Sequence, residues 1–142
     1  EDCYFGRYPT LARLIKEYCN TASVQRLNIQ IYNLNEYCGC KDKMTQQQIL
    51  DCARTISGMY YFLKVSELML FFFRFKAGFY GKFFGSVDPM VITTALSHFC
   101  KERGEANAKH DNEIRMKQIK EFRKNAISYK EWKKSKSNNI KQ

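Results

Sequence analysis

The side chains with the most reactive chemistry are six cysteines, at positions 3, 19, 38, 40, 52 and 100, and two histidines. His98 and Cys100 are two positions apart, and on a helix such neighbours do not face each other. His110 lies 12 positions after His98, about 18 Å along a continuous helix, so the two share a site only if the chain bends at Gly104. We therefore expect no catalytic residues and a protein that is not an enzyme.

The closest pair of metal-binding residue types is Cys38 and Cys40, which are separated by one residue. Structural zinc sites usually have about two to four residues between paired cysteines, and the sequence offers no CxxC pair and no HxxxH pair. A complete set of metal ligands would require the fold to bring Cys3, Cys19 or His98 next to this pair, and the spacing in the sequence does not predict that. We expect no metal and no other cofactor.

Four of the cysteines lie within or at the ends of apolar helical patterns, where a free cysteine behaves as a small hydrophobe: Cys19, Cys38, Cys52 and Cys100. The residues shown contain no signal peptide, and the first is Glu1 rather than Met, which leaves open whether further residues precede it. No apolar run approaches the roughly 18 to 20 residues of a membrane span. We expect a reduced, cytoplasmic protein without a membrane span.

Two further motifs are incomplete. Gly78, Gly81 and Gly85 match neither GxGxxG nor GxxxxGKS, so we interpret them as positions that permit positive φ angles between bulky aromatics. Residues 46–77 resemble a helix-turn-helix in length, but a recognition helix presents polar side chains to base edges. Residues 67–77 present Leu, Met and Phe instead, which disfavours that interpretation.

The charge of the chain is uneven. Its formal net charge is +10, and residues 101–142 hold 13 Lys and Arg against 6 Asp and Glu, a local excess of +7. Such a surface favours an acidic partner, which could be nucleic acid, an anionic membrane surface or an acidic protein. The oligomeric state is left open.

Cations and aromatics in two stretches suit nucleic acid, because phosphates bind cations and bases stack on aromatic rings. The predicted nucleic-acid-binding residues are Arg74, Lys76, Tyr80, Lys82, Phe83 and Phe84 in the central stretch, and Arg115, Lys117, Lys120, Arg123, Lys124, Lys130, Lys133 and Lys134 in the C-terminal stretch.

Aromatic residues more often belong to a hydrophobic core than to a binding surface. We expect Phe71, Phe72, Phe73 and Phe75 to be buried, and Tyr80, Phe83 and Phe84 of the following loop to be partly exposed. The alternative to nucleic-acid binding is docking of the long C-terminal helix on a protein partner, through Ile114, Ile119, Phe122 and Trp132.

Apolar residues at helical spacing recur along the whole chain and predict an all-α fold. We expect a compact bundle of four to five helices, with a long basic C-terminal helix and a glycine and aromatic loop at 78–87. Residues 1–103 form the helical core, and residues 104–142 are a basic helical arm and flexible tail of the same domain. Gly104 is a candidate break in the long helix.

Local signals predict where the helices begin and end. After an irregular lead-in over residues 1–8, the expected starts are Pro9 with Thr10, Ser23, Thr45 with Gln48, Ser66, and Asp88 with Pro89. The expected stops are Gly39 and Gly78. Ser128 with Glu131 predicts another short helix around Trp132.

Several of these stretches together resemble a known group of proteins. They are Met44-Thr45-x-x-Gln48, residues 63–72, residues 75–89, Phe99 and residues 101–103. The pattern is similar to small helical proteins with a domain of unknown function, encoded in gut anaerobic bacteria, their prophages and mobile elements. The likeness covers roughly residues 9–135 and assigns no activity to any residue.

That resemblance implies an intracellular bacterial or phage setting. Together with the basic arm, it leads to our hypothesis of a non-enzymatic, nucleic-acid-associated accessory protein that binds phosphates through residues 115–136. The alternative hypothesis is an interaction module that docks on a replication or virion component.

Overall fold

A computed structural model describes residues 2–39, 41–81, 87–126, 129 and 131–133. The described residues contain helices and no strand, so the all-α fold class is confirmed. The helices are α1 (Asp2–Phe5), α2 (Leu11–Tyr18), α3 (Asn20–Tyr37), α4 (Gln46–Met59), α5 (Val65–Lys76) and α6 (Pro89–Asn125). Gly104, a candidate kink or break, does not break the helix, because α6 continues through that residue.

The chain divides into two units, Glu1–Arg103 and Gly104–Gln142, and each is described by itself. The first unit holds the hydrophobic core, to which α2, α3, α4, α5 and the first turns of α6 contribute. Its largest fully buried apolar side chains are Leu11, Ile31, Leu34, Ile49, Ile56, Leu63, Phe71, Phe75, Ile92, Leu96 and Phe99.

Phe71 lies at the centre of this core. Its ring centroid is 5.2 Å from that of Phe72 and 5.8 Å from those of Phe75 and Phe99, all in edge-on arrangements that aromatic pairs prefer. The expected burial of Phe71, Phe72 and Phe75 is confirmed, whereas that of Phe73 is wrong, because Phe73 is 69% exposed. Phe71, Phe72 and Phe75 lie on the side of α5 that faces the core, and Phe73 lies on the side that faces solvent.

Short local motifs set several helix ends as predicted. Thr45 Oγ1 accepts from the Gln48 backbone N–H at 3.3 Å, and Gln48 Oε1 accepts from the Thr45 N–H at 2.8 Å, which makes a capping box for α4. Asp88 Oδ1 accepts from the Val91 N–H at 2.9 Å at the start of α6. Gly39 follows α3 with a φ of 61°, the left-handed conformation that glycine adopts without strain.

Two predicted caps are wrong. Ser23 lies inside α3, because this helix already begins at Asn20, and its buried hydroxyl lies 3.0 Å from that of Ser57 on α4. Ser66 is the second residue of α5, and its hydroxyl donates to the Cys3 carbonyl at 2.9 Å. Cysteine 3 belongs to α1, so the expected irregular lead-in is also wrong for residues 2–5.

The turn before α5 is tied to the N-terminal residues. The Leu11 N–H donates to the Leu63 carbonyl at 2.9 Å, and the Val65 N–H donates to the Pro9 carbonyl at 3.0 Å. The ammonium of Lys64 donates to the carbonyls of Tyr4 at 2.6 Å and Gly6 at 3.0 Å. These bonds hold α1 and the start of α2 against the beginning of α5.

Glu67 is a fully buried acid in the first turn of α5. One carboxylate oxygen accepts from Arg103 Nε at 2.6 Å, and the other accepts from the Lys64 backbone N–H at 2.7 Å. The Arg103 guanidinium also lies over the Phe62 ring, 5.6 Å from its centroid. A buried carboxylate is tolerated when it is paired and hydrogen-bonded in this way.

We predict that Phe71→Ala and Phe73→Ala have very different effects. Phe71→Ala opens a cavity and should lower the free energy of unfolding by about 3–5 kcal/mol, while Phe73→Ala should change it by about 0.5 kcal/mol or less. Chemical denaturation of both variants measures the two values. Equal losses would contradict the orientation of α5.

We also predict that Arg103→Leu is destabilising by about 3 kcal/mol, because it leaves the Glu67 carboxylate buried without its cation. Adding Glu67→Gln to Arg103→Leu removes the unpaired charge and should recover at least half of the loss. Denaturation of the single and double variants gives the coupling between the two sites. If the loss of stability in the double variant equals the sum of the losses in the two single variants, Glu67 and Arg103 do not stabilise each other.

Candidate nucleic-acid interface

The arm carries a row of lysines on one side of α6. Lys117, Lys120 and Lys124 are spaced three and four residues apart, which places them on the same face of the helix. All three are exposed, and the ion pairs among the described residues of the chain include none of them. The row spans about 10 Å along the helix, and Arg123, also exposed, adjoins it. We call Lys117, Lys120, Arg123 and Lys124 the basic face.

The other side of the arm is mixed. Arg115, Ile119 and Phe122 follow one another at helical spacing, so Arg115 lies with the apolar residues and outside the basic face. Phe122 is 76% exposed, Ile114 is 40% exposed, and Ile119 is partly buried. This spacing gives no continuous apolar seam, because polar positions separate Ile114 from Ile119.

Beyond α6, residues 129 and 131–133 are described and helical. The rings of Tyr129 and Trp132 are stacked, with centroids 5.8 Å apart and an interplanar angle of 27°. Lys133 is exposed beside them. The predicted contacts Lys130 and Lys134, and Ser128 of the predicted cap, lie outside the described residues.

Arg74 of the central stretch is engaged within the first unit. Its Nη1 donates to Glu102 Oε2 at 2.9 Å and to the Tyr4 hydroxyl at 3.3 Å. Its guanidinium lies over the rings of Phe79 and Phe99, 5.8 Å and 6.0 Å from their centroids. A phosphate would have to compete with the Glu102 carboxylate for this side chain.

Lys76 and Tyr80 are also packed against neighbours. The Lys76 ammonium lies 5.3 Å from the centroid of the Tyr37 ring. The Tyr80 ring lies 5.5 Å from that of Phe71, and burial raises the pKa of its phenol. Tyr80 therefore contributes to the edge of the core. The predicted contacts Lys82, Phe83 and Phe84 lie outside the described residues.

Phe79 is an exposed aromatic that the sequence analysis did not single out. It is 70% exposed and stacks only on the Arg74 guanidinium among its described partners. The sequence does indicate this exposure, because Gly78 ends α5 and the residue that follows it is directed away from the helix. With a φ of 79°, Gly78 takes the left-handed conformation at that point.

Two of the thiols, one buried and one partly buried, are poorly suited to nucleophilic chemistry. Burial raises the pKa of Cys52 to about 11 and also raises the pKa of Cys100. The thiolate is the nucleophilic form, so these two thiols are largely unreactive near neutral pH. Among the described residues, no group of three His, Cys, Asp or Glu side chains is arranged to hold a metal ion, and Cys40 lies outside them.

No helix in the described part of the chain combines the length and the apolar character that crossing a bilayer requires. A model for a family of unknown function, DUF6633, matches residues 43–141 of the chain. Comparisons with curated proteins and with solved structures give no significant match. The matched range includes α4, α5, α6 and the basic face.

We predict that Cys52 resists alkylation in the folded protein at pH 8. A thiol with a pKa near 11 has about a hundredfold less thiolate there than one with the ordinary value of 9.0. Because folding raises this pKa, the contribution of the Cys52 thiol to stability should be constant below pH 9 and fall as the pH rises from 9 toward 11. Mass spectrometry after iodoacetamide treatment measures the reaction, with exposed Cys19 as the internal comparison. Equal modification of both residues in the folded protein would contradict this prediction.

Proposed function

The chain belongs to this family of unknown function, and from its own residues we propose that it is a non-enzymatic, nucleic-acid-associated protein that binds phosphates through its C-terminal arm. The observation that carries the proposal is the basic face, whose exposed cations make no ion pair with the acidic residues described in the structure. A row of unpaired cations on one face of a helix creates a positive potential that attracts a polyanion such as nucleic acid.

The arrangement favours contacts with the phosphate backbone over contacts with bases. Lysine ammonium groups act as point charges on phosphate oxygens, and such contacts carry no sequence information. Lys117, Lys120 and Lys124 rise about 4–6 Å from one to the next along the helix, whereas the charges along one strand of B-DNA lie about 3.4 Å apart, so long and flexible lysine side chains can each reach a separate phosphate. We therefore propose binding that depends on salt and is nearly independent of sequence.

The proposed setting is a bacterial mobile element or phage, inside the cell, where the protein acts as an accessory factor. This part of the proposal is supported by the resemblance of residues 75–89 to proteins of that kind. Partners and compartment are not part of the family description.

Docking on a protein is the second candidate function of the arm. It is favoured by Phe122, which is 76% exposed, together with Ile114 and Trp132, which are 40% and 43% exposed. Large apolar side chains on an otherwise basic helix suit an acidic protein groove.

The test measures binding of random-sequence duplex and single-stranded DNA, of about 20 nucleotides, across a salt series. The triple variant Lys117→Gln, Lys120→Gln and Lys124→Gln should weaken binding to both and reduce the slope of log K against log salt by about 2–3. The single substitution Phe122→Ala should leave DNA binding and this slope unchanged, whereas it should abolish capture of a protein partner in a pull-down if the second function is correct.

A matched control removes three exposed lysines elsewhere: Lys16→Gln, Lys41→Gln and Lys101→Gln. Both triple variants lower the net charge equally, so only a local contact predicts a difference between them. Absence of binding at low salt, absence of salt dependence, or equal effects of the two triples would each refute the proposal.

A further inference from the structure

A groove of about 610 Å³ lies between α2 and α3 in the first unit. A single residue, Cys19, separates the two helices, with a φ of 129° and a ψ of 164°. This is an unusual conformation for a residue with a side chain, and it ends α2 before the chain enters α3. The groove is lined by Leu14, Tyr18, Ala22, Gln25, Arg26 and Ile29, among others.

Helix α3 carries two stripes of residues at helical spacing. Leu27, Ile31 and Leu34 form the inner stripe, which is buried in the core. Ala22, Arg26 and Ile29 are spaced four and three residues apart and form an outer stripe that faces the groove. The core does not require the outer stripe, so its side chains remain available to contact a partner protein.

Large apolar side chains remain uncovered along the groove. Tyr18 is 69% exposed and Ile29 is 60% exposed, although Leu14 and Ala22 lie beside them. Met69 of α5, 47% exposed, lies across Arg26 and Gln30 from this groove. Concave surfaces with aliphatic walls and exposed apolar rims are typical of sites that bind an amphipathic helix.

The charge around the groove indicates the chemistry of its occupant. Arg26 makes no ion pair or hydrogen bond among the described residues, and no acidic side chain lines the groove. A carboxylate from a partner would give Arg26 the counter-charge that the chain itself does not provide.

Two other occupants fit less well. The apolar side of the arm of a second copy carries Arg115 with Ile119 and Phe122, so docking that side in the groove would bring a cation toward Arg26, and like charges would oppose self-association. Nucleic acid is bound by rows of cations together with several aromatic rings, whereas the groove is lined by one cation, Arg26, and one aromatic ring, Tyr18.

We propose that the groove between α2 and α3 binds an amphipathic helix of a partner protein whose apolar side chains are flanked by Asp or Glu. The apolar residues of that helix contact Leu14, Tyr18 and Ile29, and an acidic residue pairs with Arg26. This site is separate in sequence from the basic face, so it does not depend on nucleic-acid binding.

The test uses a display library of helical peptides with apolar residues at positions i, i+4 and i+7 and with Glu, Lys or Gln at the flanking positions. Selection on the full chain should enrich peptides that are acidic beside their apolar residues. Ile29→Lys should weaken their binding at least tenfold, because it places a charge where an apolar side chain must fit. Arg26→Glu should shift the preference from Glu to Lys at the flanking positions.

Two matched variants separate a local effect from a general one. Met59→Lys changes an apolar side chain that is 65% exposed outside the groove, and Lys41→Glu reverses an exposed charge outside it. Both should bind the selected peptides as the wild type does, and circular dichroism should show that all four variants are folded.

Several results would overturn the proposal. The first is that no peptide is enriched on the wild type over the Ile29→Lys variant. The second is enrichment of peptides without a preference for acidic residues, and the third is an equal loss of peptide binding in the matched variants. A dimer of the wild type that Ile29→Lys converts to a monomer in sedimentation would assign the groove to a second copy instead. Loss of DNA binding in Arg26→Glu, with the peptide result negative, would assign it to nucleic acid.

Discussion

The buried carboxylate of Glu67 is the constraint on which the first unit depends. An ionised carboxylate without partners would be very costly at a fully buried position, so the fold must bring it a cation and a hydrogen-bond donor. Arg103 supplies the cation from α6, and the Lys64 N–H supplies the donor from the turn before α5. Because the Lys64 side chain in turn binds the carbonyls of Tyr4 and Gly6, one acid links α6, α5 and the N-terminal residues.

The parts of the fold that could be predicted from the sequence are those decided by neighbours along the chain. Thr45 with Gln48, and Asp88, cap the helices that follow them, because a cap needs only backbone N–H groups two or three residues away. Ser23 and Ser66 look the same in the sequence, yet their hydroxyls are used by Ser57 and by the Cys3 carbonyl. Those partners are distant in the sequence, so no local pattern indicates them.

The same distinction separates the two parts of the candidate site. The basic face follows from charge and helical spacing alone, and the sequence was sufficient to place its residues on one helix. Arg74 and Tyr80 were chosen for their residue types, but long-range contacts decide their surroundings: Glu102 pairs with Arg74, and Phe71 packs against Tyr80. The groove was missed because it depends on the backbone of Cys19, and the outer stripe of α3 has Arg26 between Ala22 and Ile29, so it does not form a second apolar series beside Leu27 and Ile31.

The two stripes of α3 are subject to different physical constraints. The inner stripe completes the core against α4 and α5, and the region matched by the family model begins at Lys43, so in this chain that region relies on helices outside it to cover its apolar side. Loss of volume at Leu27 must therefore cost stability. Ile29 and Arg26 project into solvent, and their substitution leaves the core intact. An exposed surface of this kind can vary in sequence without changing the fold, and the same holds for the basic face, whose lysines are exposed on one side of α6.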